Sequence, residues 1–438
     1  MTTNTAERDT VTTSSPGLLR IATAGSVDDG KSTLLGRLLH DTKSVFADQL
    51  AAVEAVSRQR GWQGELADLA LLTDGLRAER EQGITIDVAH RYFATPTRSF
   101  VLADTPGHVQ YTRNMVTGAS TADVVVLLVD ARHGVVEQTR RHLAVTALLR
   151  VPQVVVTVNK IDLVEDAEDV LATIAGNLRD AATALGVDTP HVVPISALHG
   201  DNVVTRSERT PWYDGPTLLE LLESLPPRTA QGERPLRLPV QLVIRPQHGA
   251  VDPSLVDYRA YAGLISSGTV RVGDEVEVAA SGLRSRVTGI DVGPEARQEA
   301  SAGESVSLRL ADQLDISRGD LLAAAGTAPQ ARDEIQLVLA HLAEDPLRPG
   351  ARVLVKHGTR PVQARVLEID QRLDIERLEV VPAEEATLND LVRARLLLAE
   401  PLPVEDYAVD RDGGALLVID PASGRTLDAG MVGSALRA

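Results

Sequence analysis

Lys31 and Ser32 stand near the end of the run Gly25-Ser26-Val27-Asp28-Asp29-Gly30-Lys31-Ser32-Thr33, and residue types at this spacing handle phosphate. Glycine tolerates the positive φ needed to turn successive backbone N–H groups inward around an anion, so Gly25 and Gly30 permit a cradle. The Lys31 ammonium then reaches the β- and γ-phosphates of a nucleotide, and the Ser32 hydroxyl takes a place on Mg²⁺. The alternative is a plain glycine-rich turn between a strand and a helix. Further nucleotide-contacting groups downstream decide between the two.

Asp104-Thr105-Pro106-Gly107 follows the apolar run Phe100 to Ala103. Asp104 there can hold Mg²⁺ through water and the Gly107 N–H can bond the γ-phosphate, so this loop senses whether that phosphate is present. Asn159-Lys160-Ile161-Asp162 ends the run Val154 to Val158. A carboxylate at Asp162 accepts hydrogen bonds from N1–H and the 2-amino group of guanine, a donor pair that adenine lacks, so the base is chosen there. Asn159 and the Lys160 stem brace the loop and cover the base. Ser196-Ala197-Leu198, after the run His191 to Ile195, offers backbone N–H groups to the guanine oxygen.

Between cradle and sensor lies Arg80-Glu81-Gln82-Gly83-Ile84-Thr85-Ile86-Asp87. Thr85 can give its hydroxyl to Mg²⁺ and its N–H to the γ-phosphate, ordering its loop only in the triphosphate state. Its other reading is a β-edge threonine. His108, directly after Gly107, can orient an attacking water. A solvent-facing loop histidine is the alternative, and spacing alone does not separate them.

These loops need a scaffold that brings strand ends together. From Leu18 to about Leu225, apolar runs alternate with helical patterns: Leu18 to Ala24, then a helix-like stretch Thr33 to His40, and later Glu137 to Arg150 and Ala167 to Leu185. Runs apolar throughout, such as Val124 to Val129, suit strands covered on both faces, and the alternation predicts βαβ units around a parallel sheet. Ser224 to Pro239, with four prolines, reads as a linker. Val240 to Ala324 then shows short alternating strands punctuated by glycine, which predicts an antiparallel barrel. Thr327 to Asp333 reads as a second joint, after which the short-strand texture returns, most clearly in Arg352 to Lys356 and Leu416 to Ile419.

The fold class expected is an α/β P-loop GTPase domain followed by two antiparallel β-barrel domains, with a disordered tail over 1–17 and domains over 18–228, 236–326 and 333–438. The 438-residue length fits about three domains. Forty-four Lys plus Arg against 61 Asp plus Glu give a formal net charge of −17, which argues against a general polyanion binder, so no nucleic-acid partner is expected. There is no cysteine, which removes disulfides, thiolate metal sites and cysteine nucleophiles and suits a cytoplasmic protein. Thr2 to Ser15 lacks the basic and apolar regions of a signal peptide, and no stretch approaches the ~18 apolar residues of a membrane span.

Taken together, GSVDDGKST, EREQGITID, DTPGH, NKID and SAL, followed by two predicted β domains, resemble the translation-factor class of GTPases. Within that class, Asp29 stands where elongation factors usually have histidine and Ser32 where they usually have threonine. VDDGKSTLLGRLLHDTKSVFADQL, DGLRAEREQGITIDVAHRYFAT and ADTPGHVQYTRNMVTGASTADVVVLLVDAR are similar to sulfate adenylyltransferase subunit 1, the GTPase subunit family. The likeness continues through DYRAYAG, SSGTVRVGDEVEV and DISRGDLL, and more loosely through DYAVDRDGGALLVID. Tyr258 and Tyr261 depart from the family's usual phenylalanines, the loop Pro246 to Val256 looks inserted, and 352–385 diverges.

The resemblance implies GTP and Mg²⁺ as ligands, and His108 in the water-orienting role. It also implies a separate partner, sulfate adenylyltransferase subunit 2, that binds ATP and sulfate and makes adenosine 5'-phosphosulfate plus pyrophosphate, an uphill transfer to which GTP hydrolysis on this chain is coupled. One P-loop and no Ser-Gly-Gly-x-Asp-Ser loop agree with the need for a partner. The lack of another GxxxxGK[ST] before Ala438 leaves no expectation of the fused adenylylsulfate kinase that some relatives carry. A translation or tRNA-delivery GTPase is the alternative on this architecture, and Asp29, Ser32 and the missing basic stripe weigh against it.

Overall fold

Apolar runs that precede the nucleotide loops become neighbouring strands of one sheet. In the computed structural model of the chain, which describes residues 17–59, 67–72, 88–106, 112–227, 234–246 and 256–436, the strands are Leu18–Ala24 (β1), Ala89–Ala94 (β2), Ser99–Asp104 (β3), Val124–Asp130 (β4), Gln153–Asn159 (β5) and His191–Pro194 (β6). Their order is β2-β3-β1-β4-β5-β6. Every pair is parallel except β2 with β3, an antiparallel edge that the apolar-run reading did not anticipate. All seven residues of β4 are buried, six of them valine or leucine, as strands covered by helices on both faces require.

The helices are Lys31–Asp41 (α1), Ala47–Gln59 (α2), Thr112–Ser120 (α3), Glu137–Leu148 (α4), Ala167–Leu185 (α5) and Leu218–Ser224 (α6). Leu34, Leu35 and Leu38 recur at helical spacing on α1 and share a core with Leu19, Ile21 and Leu102 of the strands beneath. Each such side chain contributes about 1.5–3 kcal/mol of burial. Gly36 is required on this helix because a Cβ there would fall 2.0 Å from the Leu69 carbonyl oxygen. α4 stops at Leu148, short of the expected Arg150, which takes a left-handed φ of 49° that no α-helix continues.

The described residues separate into two compact units, the second of which holds the antiparallel sheets and also takes in 143–150 and 180–188. Strands between Arg237 and Ala324 form an eight-stranded antiparallel sheet with a two-stranded companion, around a core that includes Leu238, Tyr261, Val276, Ile290 and Leu322. The expected linker is therefore shorter than drawn: Arg237–Pro239 is already a strand, paired with Leu321–Ala324. Pro239 ends it, where a missing N–H is tolerated. The second joint also shortens, because Ala331–His341 is one continuous strand whose first residues pair with Leu402 and Pro403. In the last sheet Arg352–His357 pairs with both Arg360–Asp374 and Ala415–Ile419, so six strands close into a barrel. Its separate core includes Leu337, Val355, Val366, Leu396 and Val418. Among the described residues no helix is long and apolar enough to cross a membrane.

Candidate functional site

Loops leave the C-terminal ends of β1, β3, β5 and β6 on one edge of the sheet, where ligands of open parallel sheets bind. The loop after β1 is held by tight backbone approach. Gly30 has φ 94°, and a Cβ on it would lie 2.4 Å from Asn159 Nδ2; one on Gly25, with φ 152°, would meet the Leu128 carbonyl oxygen at 3.1 Å. Val27 and Asp28 are exposed on the loop's outer turn.

Lys31 begins α1 and its ammonium folds back into the loop, donating to the carbonyls of Gly25 at 2.9 Å and Ser26 at 2.7 Å. Burial pushes this ammonium below the usual lysine range, against the pull of Asp104, Asp29 and Asp28. Asp29 is buried and accepts the Ser26 N–H at 2.5 Å. Burial pushes its carboxyl up, against that hydrogen bond and the nearby Lys31 charge. Asp29 thus braces the first turn of the cradle from inside. Ser32 and Thr33 follow in the first turn of α1, half-buried.

Asp104 lies buried at the end of β3, where its Oδ1 accepts the Thr23 hydroxyl at 3.1 Å. Asn159 ties three loops: its Nδ2 donates to the Asp29 carbonyl at 2.7 Å, and its Oδ1 accepts the Ala197 N–H at 2.9 Å. Lys160, in a left-handed conformation with φ 61°, donates from Nζ to the Asp28 carbonyl. The loop that begins at Asn159 is thereby bonded to the loop that follows β1. Asp162 is 15% exposed, and its Oδ2 stands 3.7 Å from His199 Nε2. Both line an open pocket of about 750 Å³ that also meets Glu165, Asp166, Arg209 and Trp212.

The structure brings Gly25 to Thr33, Asp104, Asn159, Lys160, Asp162 and Ser196 to Leu198 to the strand-end loops of this one edge. Within the last loop, contrary to the expectation that it offers its N–H groups outward, Ser196 donates to the Asp201 carbonyl at 3.2 Å and Ala197 to Asn159. Short loops spend their N–H groups on their own closure. Thr85, Gly107 and His108 lie outside the described residues, so their expected roles rest on sequence.

Two contributors carry no motif signal. Arg37 sits on the leucine face of α1 and donates to the carbonyls of Ala197 at 3.2 Å and Leu198. An arginine amid Leu34, Leu35 and Leu38 was the available hint. Asp130 ends β4 opposite Asn159 and pairs with Lys160 at 2.9 Å and Arg132 at 2.6 Å. Burial favours its neutral form, but the Arg132 and Lys160 hydrogen bonds win and hold the carboxyl well below its ordinary range.

Ser32 and Asp104 present a hydroxyl and a carboxylate, the hard oxygen donors that suit Mg²⁺. A cradle of N–H groups, an internal ammonium and a carboxylate at Asp162 can together hold a triphosphate and tell guanine from adenine.

Residues 17–228 match the elongation factor Tu GTP binding domain family, and residues 334–433 the GTP-eEF1A C-terminal domain-like family. The chain is 47% identical over 421 residues to sulfate adenylyltransferase subunit 1 of Aeromonas hydrophila, covering 96% of this chain and 87% of that one. It is 46% identical to the protein of the same name from Aeromonas salmonicida, covering 96% and 88%. It is also 50% identical over 422 residues to the bifunctional enzyme CysN/CysC of Mycobacterium tuberculosis, covering 95% of this chain and 67% of that protein.

Proposed function

We propose, because this chain belongs to the sulfate adenylyltransferase subunit 1 family, that the strand-end loops described above turn over GTP on behalf of a separate subunit. The chain is an enzyme of sulfate adenylylation with a GTPase domain. Its partner, in our reading, is subunit 2, which binds ATP and sulfate and forms adenosine 5'-phosphosulfate and pyrophosphate. GTP hydrolysis on this chain then drives that uphill transfer. The observation that carries the site is Asn159, whose amide joins the phosphate loop and the Ala197 loop in one hydrogen-bonded unit.

The reaction is in-line attack of water on the γ-phosphate, in which positioning and charge neutralisation supply nearly all the catalysis. Lys31 exchanges its Gly25 and Ser26 carbonyl partners for β- and γ-phosphate oxygens, so the ammonium is already desolvated when the nucleotide arrives. Ser32, Asp104 and Thr85 are the oxygen donors that would hold Mg²⁺, which when bound neutralises charge on the same phosphates. Gly107 bonds the γ-phosphate, and His108 orients the attacking water. Asp162 accepts from guanine N1–H and the 2-amino group, while the Leu198 N–H, in a loop whose other two amides are engaged, meets the guanine oxygen. We assign the nucleotide domain to 18–228 and the β domains to 236–326 and 333–438, and place the cysteine-free chain in the cytoplasm.

The test is pyrophosphate release from ATP and sulfate by the chain purified with its co-expressed partner, with and without GTP. A product yield driven past the uncoupled equilibrium only when GTP is split is expected. A yield indifferent to GTP overturns the coupling, and equal affinity for ATP and GTP in calorimetry overturns the base assignment.

A further inference from the structure

Lys160 has a geometric difficulty that its motif does not resolve. Its stem is to lie over a base, so its ammonium must be fixed at a point beyond the base edge. A lysine side chain held at one end only loses that alignment, since its rotamer freedom is worth up to about 2 kcal/mol. In the structure the ammonium has two partners. One is the Asp28 carbonyl in the phosphate loop. The other is Asp130 Oδ2, at 2.9 Å.

Asp130 is itself held on several sides. It is the last residue of β4, in register with Asn159 at the end of β5, and the Ala131 N–H after it donates to the Asn159 carbonyl at 2.9 Å. Its side chain is 2% exposed. Arg132 grips the carboxylate through Nε at 3.0 Å and Nη2 at 2.6 Å, and adds its backbone N–H at 3.0 Å. His133 Nδ1 stands 3.7 Å away. A buried carboxylate with this many donors keeps its charge and its direction.

We propose that Asp130 is a positioning residue for guanine-nucleotide binding, which pins the Lys160 ammonium between the end of β4 and the phosphate loop and so sets the lysine stem at the height of the base. Arg132 holds the pin in place. The inference rests on the guanine-binding reading of the Asn159 to Asp162 loop, and adds to it a residue outside the nucleotide motifs. Because the pin acts on the base side, it serves GTP and GDP alike and leaves the choice between guanine and xanthine to Asp162.

The experiment is calorimetry with GTP and GDP on the full chain carrying Asp130→Asn, Lys160→Met, or both, beside steady-state GTP turnover. Asp130→Asn is expected to weaken GTP and GDP equally, by about tenfold or more, the scale of one charge-assisted hydrogen bond. The loss should fall mainly in KM, and the second substitution should add little to Lys160→Met. Unchanged affinity in Asp130→Asn overturns the proposal, as does a loss that adds in full to that of Lys160→Met. If Asp130→Asn does not fold, Arg132→Gln tests the same pin, and equal GTP affinity to wild type then counts against it. Failure of the wild-type chain to bind guanine nucleotides at all sinks the parent reading rather than the pin alone.

Discussion

Two clusters of buried polar side chains in this chain are built for opposite ends. Around the nucleotide loops, Lys31 rests on the backbone carbonyls of Gly25 and Ser26, while Lys160 divides between the Asp28 carbonyl and the buried Asp130 carboxylate. In the closed barrel, His341 and Asp428 face each other across paired strands, both side chains at 0% exposure. His341 Nδ1 lies 2.7 Å from Asp428 Oδ1, and Nε2 donates to the Asp345 carbonyl at 2.9 Å. Carbonyl dipoles are partners that a phosphate oxygen can replace. A sealed carboxylate is not, so Lys31 can turn to a ligand while the His341–Asp428 pair holds strands in register.

If that contrast is right, damage to the first cluster should cost function and damage to the second should cost folding. The largest effect is expected for Lys31→Ala, which removes the ammonium that our reading turns toward the β- and γ-phosphates. GTP turnover should fall by about a thousandfold or more, measured as phosphate release, with the far-ultraviolet circular dichroism spectrum unchanged. Wild-type turnover in this variant would falsify the site assignment.

His341→Leu should do the reverse. Breaking a buried, hydrogen-bonded charge pair from one side costs about 3–5 kcal/mol, to be read from urea unfolding, while GTP affinity stays at the wild-type value. The pair also carries a pH signature. Burial presses His341 toward its neutral form, but the Asp428 carboxylate on Nδ1 and the Asp345 carbonyl on Nε2 override it and raise its pKa above the usual histidine range. A raised folded-state value means that the stabilisation is complete below the unfolded pKa of about 6.5 and is lost as pH climbs through the folded value. Hydrogen exchange in Ala331–His341 should therefore quicken on the alkaline side more in the wild type than in His341→Leu. A wild-type protection factor there that does not change with pH would show that the pair carries no net proton linkage.

Asp162→Asn sharpens the comparison within the first cluster. It swaps an acceptor for a donor at the base edge, so GTP binding should weaken by about a hundredfold and XTP binding should strengthen correspondingly. Competition between the two triphosphates reads the switch directly, and an unaltered preference would remove Asp162 from base selection.

Legibility in the sequence followed locality. Gly25 to Thr33, Asp104, and Asn159 to Asp162 announce themselves because the residues that cooperate are adjacent, and because apolar runs before them mark strand ends. The β1, β4 and β5 strands and the helix Ala167 to Leu185 were readable for the same reason. Asp130 and Arg37 were not, since each acts on a loop reached only through strand order and helix packing. His341 and Asp428 are 87 residues apart and meet only through the register of two antiparallel strands. The edge strand β2, half-exposed and antiparallel, lacked the continuous apolar run by which its neighbours were found.

The smallest effect tests that rule of locality. Thr217-Leu218-Leu219-Glu220 is a capping box visible in four letters: the Thr217 hydroxyl accepts the Glu220 N–H at 3.2 Å, and Glu220 Oε2 accepts the Thr217 N–H at 2.8 Å. It starts α6, whose Leu218, Leu221 and Leu222 belong to the core beneath β1 and β3. The other end of that helix is held separately by Arg98, which donates to the Leu222 carbonyl at 3.1 Å and the Glu223 carbonyl at 3.2 Å. With its far end anchored, α6 should survive Thr217→Ala at a cost of about 1 kcal/mol. Urea unfolding should register that loss while GTP affinity and turnover hold, because no bond from α6 reaches the phosphate or guanine loops among those described. A drop in GTP affinity in this variant would mean that the nucleotide loops depend on the helix packed behind them, and that the division between functional and structural polar clusters is less sharp than the hydrogen bonds suggest.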